Sequence, residues 1–185
     1  MKIIIGLGNI GKEYENTFHN MGFLAIDALA EKSGISVRKT ECSAVTGAGK
    51  IGAERVVLAK PTTYMNLSGG AVKSLLVKYK AQIEDVIIIY DDIDLPRFKT
   101  RARESGSAGT HNGMRDVVAK CGTSEIKRIR IGIGRNAGEL KDFVLSTLSK
   151  SDKETFGTVF GKVADALSEY FADGDFPRLM RTLNV

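Results

Sequence analysis

The stretch Gly6-Leu-Gly-Asn-Ile-Gly-Lys-Glu-Tyr-Glu-Asn-Thr-Phe-His-Asn20 decides how the rest of the chain is arranged. It follows Lys2-Ile-Ile-Ile5, whose apolar, β-branched side chains predict a buried strand. Its three glycines allow a sharp turn or a close approach of the backbone to a ligand. Asn9 and His19 stand at the two ends of the polar loop. An amide donates and accepts hydrogen bonds, and an imidazole is the side chain best suited to general base chemistry near neutral pH.

The spacing Gly6-x-Gly8-x-x-Gly11 also matches a dinucleotide-binding fingerprint, which raises the alternative of a nicotinamide-dependent oxidoreductase. That fingerprint needs a helix that starts at the glycines, so that the N-terminus of the helix meets the pyrophosphate. Here helical periodicity begins only near Met21, and the acidic residue expected about 20 positions on would be Asp27, inside that helix. The context therefore argues against a dinucleotide cofactor.

Composition and charge are those of an ordinary globular protein. The 185 residues, 43% hydrophobic and 26% charged, predict a single domain over 1–185 with one sizeable core. We find no apolar run of the roughly 18 residues that a membrane span needs, and no signal-peptide pattern. Cys42 and Cys121 form no metal motif, which favours free thiols in a reducing cytoplasm. The net charge of +5 permits a polyanionic partner without requiring one.

Strand-like and helix-like segments alternate along the chain until about residue 136, after which it is predicted to be helical. Strands are predicted over 55–60, 86–90, 100–104 and 127–133, with a weaker edge strand in 42–52. Helices are predicted over 20–33, 68–79, 114–120, 151–173 and 176–183, the first two capped by Asn20 and Ser68. The alternation predicts an α/β fold: a three-layer α/β/α sandwich with a mixed, largely parallel twisted sheet.

Polar side chains follow several predicted strands at the point where each strand ends. Going along the chain, these are Asn9, Asn66 and Asp91, and then Asn112 in the glycine-rich loop after a fourth strand. Ligands of such sheets bind outside the carboxyl ends of the strands. If the strands are parallel neighbours, these groups meet in one crevice with His19.

His19 and Asp91 predict a general base and the carboxylate that orients it. A carboxylate that accepts from one imidazole nitrogen fixes the tautomer and leaves the other nitrogen free to take a proton. The chain has no Gly-x-Ser-x-Gly elbow and no zinc-ligand spacing, so the simplest use of the pair is to deprotonate water for hydrolysis. Asn9, Asn66 and Asn112 would hold an amide or ester, and one of them would donate to a developing oxyanion.

These residues also have structural interpretations. A His–Asp pair is commonly a structural hydrogen bond, and Asn66 and Asn112 could equally be helix N-caps. Tyr64 could be a packing residue, and His111, the second histidine, is interpreted as a surface residue rather than the base. Four basic residues in 97–103 alternate with other residues, which predicts either a solvated edge or a phosphate-binding face.

Five motifs in order make the sequence similar to the bacterial-type peptidyl-tRNA hydrolases, and the resemblance spans nearly the whole chain. The first is Gly6-Leu-Gly-Asn-Ile-Gly-Lys-Glu-Tyr with Thr17-Phe-His-Asn, and the second is Lys60-Pro-Thr-Thr-Tyr-Met-Asn-Leu-Ser-Gly69. The others are Asp91-Asp-Ile-Asp-Leu-Pro96, Gly106-Ser-Ala-Gly-Thr-His-Asn-Gly113 and Arg128-Ile-Arg-Ile-Gly-Ile-Gly134.

The resemblance implies hydrolysis of the ester that joins a peptide to the 3′-terminal ribose of tRNA. It implies a cytoplasmic monomer whose partner is peptidyl-tRNA, with no metal, no organic cofactor and no membrane. His19 matches the family's general base, Asp91 the carboxylate that supports it, and Asn9 the residue that separates N-blocked from free aminoacyl-tRNA. Substrate-contacting positions are matched by Tyr14, Tyr64, Asn66 and Asn112, and tRNA-phosphate positions by Arg101 and Arg103. Residues 142–148 resemble a mobile segment over the cleft.

Three residues depart from the family pattern. Ile10 replaces a proline, which predicts a less rigid turn at Asn9. Phe18 replaces an arginine beside the base, which predicts one charge fewer at the rim. Thr110 replaces a glycine, which predicts a loop without positive φ at that position. A non-catalytic RNA-binding domain, suggested by the basic segments, stays as an alternative to the hydrolase.

Overall fold

The apolar runs of the sequence form a seven-stranded mixed sheet in the computed structural model, which describes residues 1–185. The strands are Lys2–Gly6 (β1), Lys39–Glu41 (β2), Ala44–Ile51 (β3), Glu54–Pro61 (β4), Val86–Asp92 (β5), Thr100–Arg103 (β6) and Lys127–Gly132 (β7). The helices are Met21–Ser33 (α1), Ser68–Tyr79 (α2), Asn112–Cys121 (α3), Leu140–Val144 (α4), Lys150–Asp173 (α5) and Phe176–Leu183 (α6). The predicted α/β class is confirmed, and α4 lies in the segment after residue 136 that was predicted to be helical, although no bounds were predicted for it.

The order of strands in the sheet is β2-β3-β4-β1-β5-β7-β6. The four strands β4, β1, β5 and β7 run parallel, so their carboxyl ends meet at one edge. Antiparallel pairings of β2 with β3, β3 with β4, and β6 with β7 flank this parallel centre. The loops after β1, β4 and β5 therefore leave the sheet side by side.

Each face of the sheet packs against its own layer of helices. Side chains alternate along a strand, so Ile4 of β1 joins a cluster with α1, α5 and α6, while Ile3 and Ile5 join one with α2 and α3. This double burial explains why the central strands are apolar throughout. The helices include no candidate for a membrane-spanning segment.

Strand β6 is antiparallel to the central strands. The convergence of Asn112 with the other polar residues was predicted on the assumption that this strand is parallel to them. Strand β6 pairs antiparallel with β7, so its carboxyl end lies away from the ends of β1, β4 and β5. The loop 104–111 therefore runs back along the sheet before α3 begins. Arg128, which is buried, holds this region by donating to the carbonyls of Ser107, Ser124 and Ile126. Asn112 thus reaches the crevice through an arginine-anchored loop.

The two predicted N-terminal caps do not form. Asn20 precedes α1, but its side chain bonds to the backbone of Asn9. Ser68 is the first residue of α2, and its hydroxyl donates to the carbonyl of Met65. The Asn20 side chain therefore joins the turn before α1 to the loop after β1, whereas the Ser68 bond lies within its own segment.

Helix α1 contacts the sheet through two glycines. A Cβ at Gly22 would lie 2.3 Å from the carbonyl oxygen of Ile89, and a Cβ at Gly6 would lie 2.1 Å from the carbonyl oxygen of Gly22. At Gly6 the backbone therefore approaches a helix closely. Because α1 begins only at Met21, no helix starts at the glycines as a dinucleotide-binding site would need. This contact sets the position of the turn that immediately precedes α1.

We expect Gly22→Ala to lower the free energy of unfolding by about 1–3 kcal/mol, the usual cost of overpacking, because the new methyl group meets backbone atoms. Urea denaturation measures this change. The matched control is Gly157→Ala on the exposed side of α5, where nothing lies within 4 Å of the new Cβ. It should raise the free energy of unfolding by up to about 1 kcal/mol, because alanine favours helices. A Gly22→Ala variant as stable as the parent protein would contradict the packing argument.

Candidate active site

Asn9 and Asn20 tie together the loops around the crevice. The Asn20 side chain accepts from the Asn9 N–H at 2.8 Å and donates to the Asn9 carbonyl at 2.9 Å. The Oδ1 atom of Asn9 in turn accepts from the N–H of Met65 at 3.1 Å. These bonds fix the amide orientation of Asn9, and its Nδ2 donor makes no hydrogen bond within the protein. The loops after β1 and β4 are therefore held beside the turn that carries His19.

His19 and Asp91 form the predicted pair. Asp91 lies at the end of β5 with 2% of its side chain exposed, and His19 Nδ1 lies 2.9 Å from Oδ2 and 3.0 Å from Oδ1. Nδ1–H therefore donates to the carboxylate, and Nε2 keeps a free lone pair. Burial acts to lower the pKa of His19, but the Asp91 carboxylate outweighs it and raises that pKa above its ordinary value.

Asp91 stays ionised although it is buried. Burial acts to raise the pKa of its carboxyl group, but His19 and then His111 outweigh burial and hold this pKa well below its usual range. An ionised carboxylate therefore faces Nδ1 of the proposed base.

His111 is the site residue that the sequence analysis misplaced, because it is not a surface residue. Its side chain is 8% exposed, and Nε2 lies 3.0 Å from Oδ1 of Asp91. Its Nδ1 accepts from the N–H of Met114 at 3.1 Å, which makes His111 the N-cap of α3. Asn66 and Asn112 are therefore not the helix caps. The available signal was position, because His111 lies just before the helix predicted over 114–120, and α3 in fact begins at Asn112.

The cluster of His19, Asp91 and His111 does not fit a metal ion, although its potential ligand atoms lie within 4.8 Å of one another. A ligand nitrogen needs a free lone pair. Because His111 Nδ1 accepts a backbone N–H, the ring proton sits on Nε2, the atom that faces Asp91. Both imidazoles thus donate protons to the carboxylate, and the cluster is a hydrogen-bonded chain.

A cavity of about 670 Å³ lies over this chain of hydrogen bonds. Asn9, His19, Asp91 and Asn112 line it together, as predicted. The opposite wall comes from 139–145, around α4. The other predicted site residues do not line this cavity: Tyr14, Tyr64, Asn66, Arg101 and Arg103. Tyr64 is 77% exposed and Asn66 is exposed, both beside the buried Met65 in the loop after β4.

Phe18 packs in the core beside the turn that carries His19, and it brings no charge to the rim of the cavity. It is 4% exposed, and its ring centroid lies 4.9 Å from that of Phe143 in α4. The Arg97 guanidinium lies 4.9 Å from the centroid of the same ring. A backbone bond of 2.8 Å from Leu148 N–H to the Asn16 carbonyl adds to these contacts. Together they hold α4 beside the turn that carries His19.

Not all of the basic residues in 97–103 lie on one face of the sheet edge. Register places Arg101 opposite Arg130 and Arg103 opposite Arg128. Arg97 does not belong to this face, because Phe98 has a φ of +71° and breaks the alternation before β6. Thr110, by contrast, has no positive φ, as predicted, and Gly109 takes the left-handed conformation.

Arg130 is a basic residue that the sequence analysis did not single out. It forms an ion pair with Asp92 at 2.9 Å and lines the cavity. Arg101 and Arg103 form no ion pair with any carboxylate, so their charges are available to another anion. The alternation of basic and apolar residues in β7 was the signal that could have identified Arg130.

Comparison with known proteins places the chain in a family. The model of the peptidyl-tRNA hydrolase family matches residues 3–185. Proteins named peptidyl-tRNA hydrolase from Exiguobacterium sibiricum and Bacillus cereus are 48% and 44% identical over 186 residues, with 100% of each chain covered. A crystal structure of peptidyl-tRNA hydrolase from Acinetobacter baumannii matches with a TM-score of 0.93 at 30% identity, covering 100% of this chain and 95% of that one. The chain belongs to the peptidyl-tRNA hydrolase family.

Proposed function

We propose that this chain hydrolyses the ester bond between the peptide and the 3′-terminal ribose of peptidyl-tRNA, with His19 as general base. The observation that carries the proposal is the His19–Asp91 pair on the floor of a cavity, in a member of this family. His19 Nδ1 is committed to Asp91, and Nε2 makes no hydrogen bond within the protein. A water placed between Nε2 and the ester carbonyl would lose its proton to Nε2 as it attacks.

The remaining steps follow from this proton transfer. Asp91 stabilises the imidazolium that forms, since its carboxylate accepts from Nδ1–H throughout. When the tetrahedral intermediate collapses, the bond to the ribose oxygen breaks and His19 returns the proton to that oxygen. The products are a peptide carboxylate and tRNA with a free 3′-hydroxyl group. Asn112 and Asn9, which line the cavity, are the candidate donors to the oxyanion.

Asn9 is proposed to select N-blocked substrates. Because Met65 N–H occupies its Oδ1, the group that Asn9 offers to a substrate is the Nδ2 donor. A donor binds the carbonyl of a peptide bond and repels the α-ammonium of an unblocked aminoacyl group.

The predicted site residues outside the cavity are proposed to bind the tRNA. We propose that Tyr64 and Asn66, which flank Met65 in the loop bonded to Asn9, contact the 3′ end, and that Tyr14, in the turn that leads to His19, contacts the substrate as well. Arg101 and Arg103, with Arg130 beside them, are proposed to bind a backbone phosphate. All these groups belong to one chain, which supports a monomeric enzyme, and we further propose a cytoplasmic location.

We expect His19→Ala to lower kcat by about 10²–10⁴-fold, the usual contribution of a general base, while binding of substrate persists. Asp91→Asn removes the charge that raises the pKa of His19, so burial then lowers this pKa. The rise of kcat/KM with pH should move to lower pH, and its plateau should fall, because an amide does not support the imidazolium. Steady-state hydrolysis of N-acetyl-aminoacyl-tRNA across pH measures both effects.

The control is Asp165→Asn, which removes an exposed carboxylate of α5 and should leave the pH profile unchanged. Near-normal turnover by His19→Ala would contradict the assignment of His19 as the base. A pH profile of kcat/KM that does not move in Asp91→Asn would contradict the assignment of Asp91 as its supporting carboxylate.

We expect Asn9→Asp to reverse selectivity. Asp keeps an oxygen for Met65 N–H and puts a negatively charged oxygen in place of the Nδ2 donor, which favours an ammonium over a carbonyl. The ratio of kcat/KM for N-acetyl-aminoacyl-tRNA to that for aminoacyl-tRNA should fall. Asn136→Asp makes the same charge change at an exposed position outside the cavity and should keep the ratio. An equal ratio in all three proteins would contradict the assignment of Asn9.

We expect Arg101→Ala with Arg103→Ala to raise KM for full-length peptidyl-tRNA. Each lost phosphate contact should make the slope of log K against log salt shallower by about 0.7–0.9. Hydrolysis of a minimal ester substrate without the tRNA body should barely change, since His19 is untouched. The control pair Arg38→Ala with Arg55→Ala removes two exposed charges away from β6 and should change neither measurement. Equal loss on both substrates would show that Arg101 and Arg103 are not a phosphate site.

A further inference from the structure

We propose that His111 is a positioning residue. It holds the Asp91 carboxylate in place for His19, and by sharing the carboxylate charge it limits how strongly that charge favours the protonated form of His19. The inference rests on the proposed role of His19 as general base. It concerns the imidazole beside the cavity that the mechanism above does not use.

The two histidines are the only donors to the Asp91 carboxylate within the protein. Oδ1 accepts from His19 Nδ1 at 3.0 Å and from His111 Nε2 at 3.0 Å, and Oδ2 accepts from His19 at 2.9 Å. The carboxylate is almost fully buried. Its negative charge is therefore divided between the base and His111.

His111 is locked as a donor to Asp91. Because Nδ1 accepts from Met114 N–H at 3.1 Å, the ring proton must sit on Nε2. The imidazole is packed between the ring of Tyr90, at 4.8 Å, and the ring of His19, at 5.0 Å. A Cβ at Gly113 would lie 2.5 Å from Sδ of Met65 and 3.1 Å from Cε1 of His111, so the start of α3 packs tightly against both side chains. The start of α3 thus fixes both the tautomer and the position of His111.

The other charged groups around this chain of hydrogen bonds are already paired or lie across the cavity. Asp92 pairs with Arg130, and Asp94 pairs with Arg135. Glu139 and Lys141 line the opposite wall, and the buried Tyr90 contacts His111. None of them donates to the Asp91 carboxylate. Removal of His111 therefore leaves the whole carboxylate charge acting on His19, which should then hold its proton more tightly.

The test uses His111→Asn and His111→Ala. Asparagine is a favourable N-cap, so it can bind Met114 N–H and preserve the start of α3, but it is too short to reach Asp91. Alanine removes both contacts. Both variants should move the rise of kcat/KM to higher pH by about 0.5–1 unit and lower the plateau about tenfold. Both variants lose a hydrogen bond to a buried carboxylate, and His111→Ala should lower the thermal midpoint further than His111→Asn because it also loses the N-cap. In an Asp91→Asn background, His111→Asn should no longer move the profile.

A second readout does not depend on hydrolysis. The chain has two histidines, so His111→Asn leaves His19 as the only imidazole, and NMR titration assigns its pKa directly. We expect this pKa to exceed that of His19 in the parent protein. An unchanged or lower pKa, or an unmoved pH profile, would overturn the positioning role. If the pKa rises but His19→Ala still hydrolyses the substrate, the positioning of Asp91 stands and the proposed base is wrong.

Discussion

The hydrogen bond between His19 Nδ1 and the buried Asp91 carboxylate is the interaction on which the rest of the site depends. It fixes the tautomer of His19, leaves Nε2 free, and raises the pKa of His19 above its ordinary value. A buried carboxylate is costly unless it is hydrogen-bonded, and here two imidazoles supply the donors. The pair is therefore both an arrangement suited to hydrolysis and a constraint that the surrounding loops must satisfy.

The fold satisfies that constraint with parts that come from distant stretches of sequence. Parallel β1 and β5 place Asn9 and Asp91 at the same edge of the sheet. The contact between Gly6 and Gly22 brings α1, and the turn before it, against the end of β5. Arg128 anchors the loop that returns His111 to this edge, although β6 points away from it. The packing of α1 and the hydrogen bonds of Arg128 thus position His19 and His111, which the order of the strands alone would not bring together.

Much of this arrangement could be predicted from the sequence, because it follows from strand ends. Asn9, Asp91 and His19 were placed by the rule that parallel strands open a crevice at their carboxyl ends. Asn112 was placed there too, but for an incorrect reason, since its strand is antiparallel. His111 was misplaced because burial of a polar ring depends on partners far along the chain, and the core packing of Phe18 could not be predicted for the same reason. Short patterns carry no information on Phe143 packing on Phe18, or on Asp91 accepting from His111.

The most direct measurement of the central claim is incubation of the purified protein with N-acetyl-aminoacyl-tRNA and, separately, with unblocked aminoacyl-tRNA, each in EDTA. The account predicts release of the acyl group from the blocked substrate only, at the same rate with and without EDTA, because the proposed base, its carboxylate and the selecting amide all belong to the protein. Absence of release from the blocked substrate, equal release from both, or release that requires an added metal ion would contradict it.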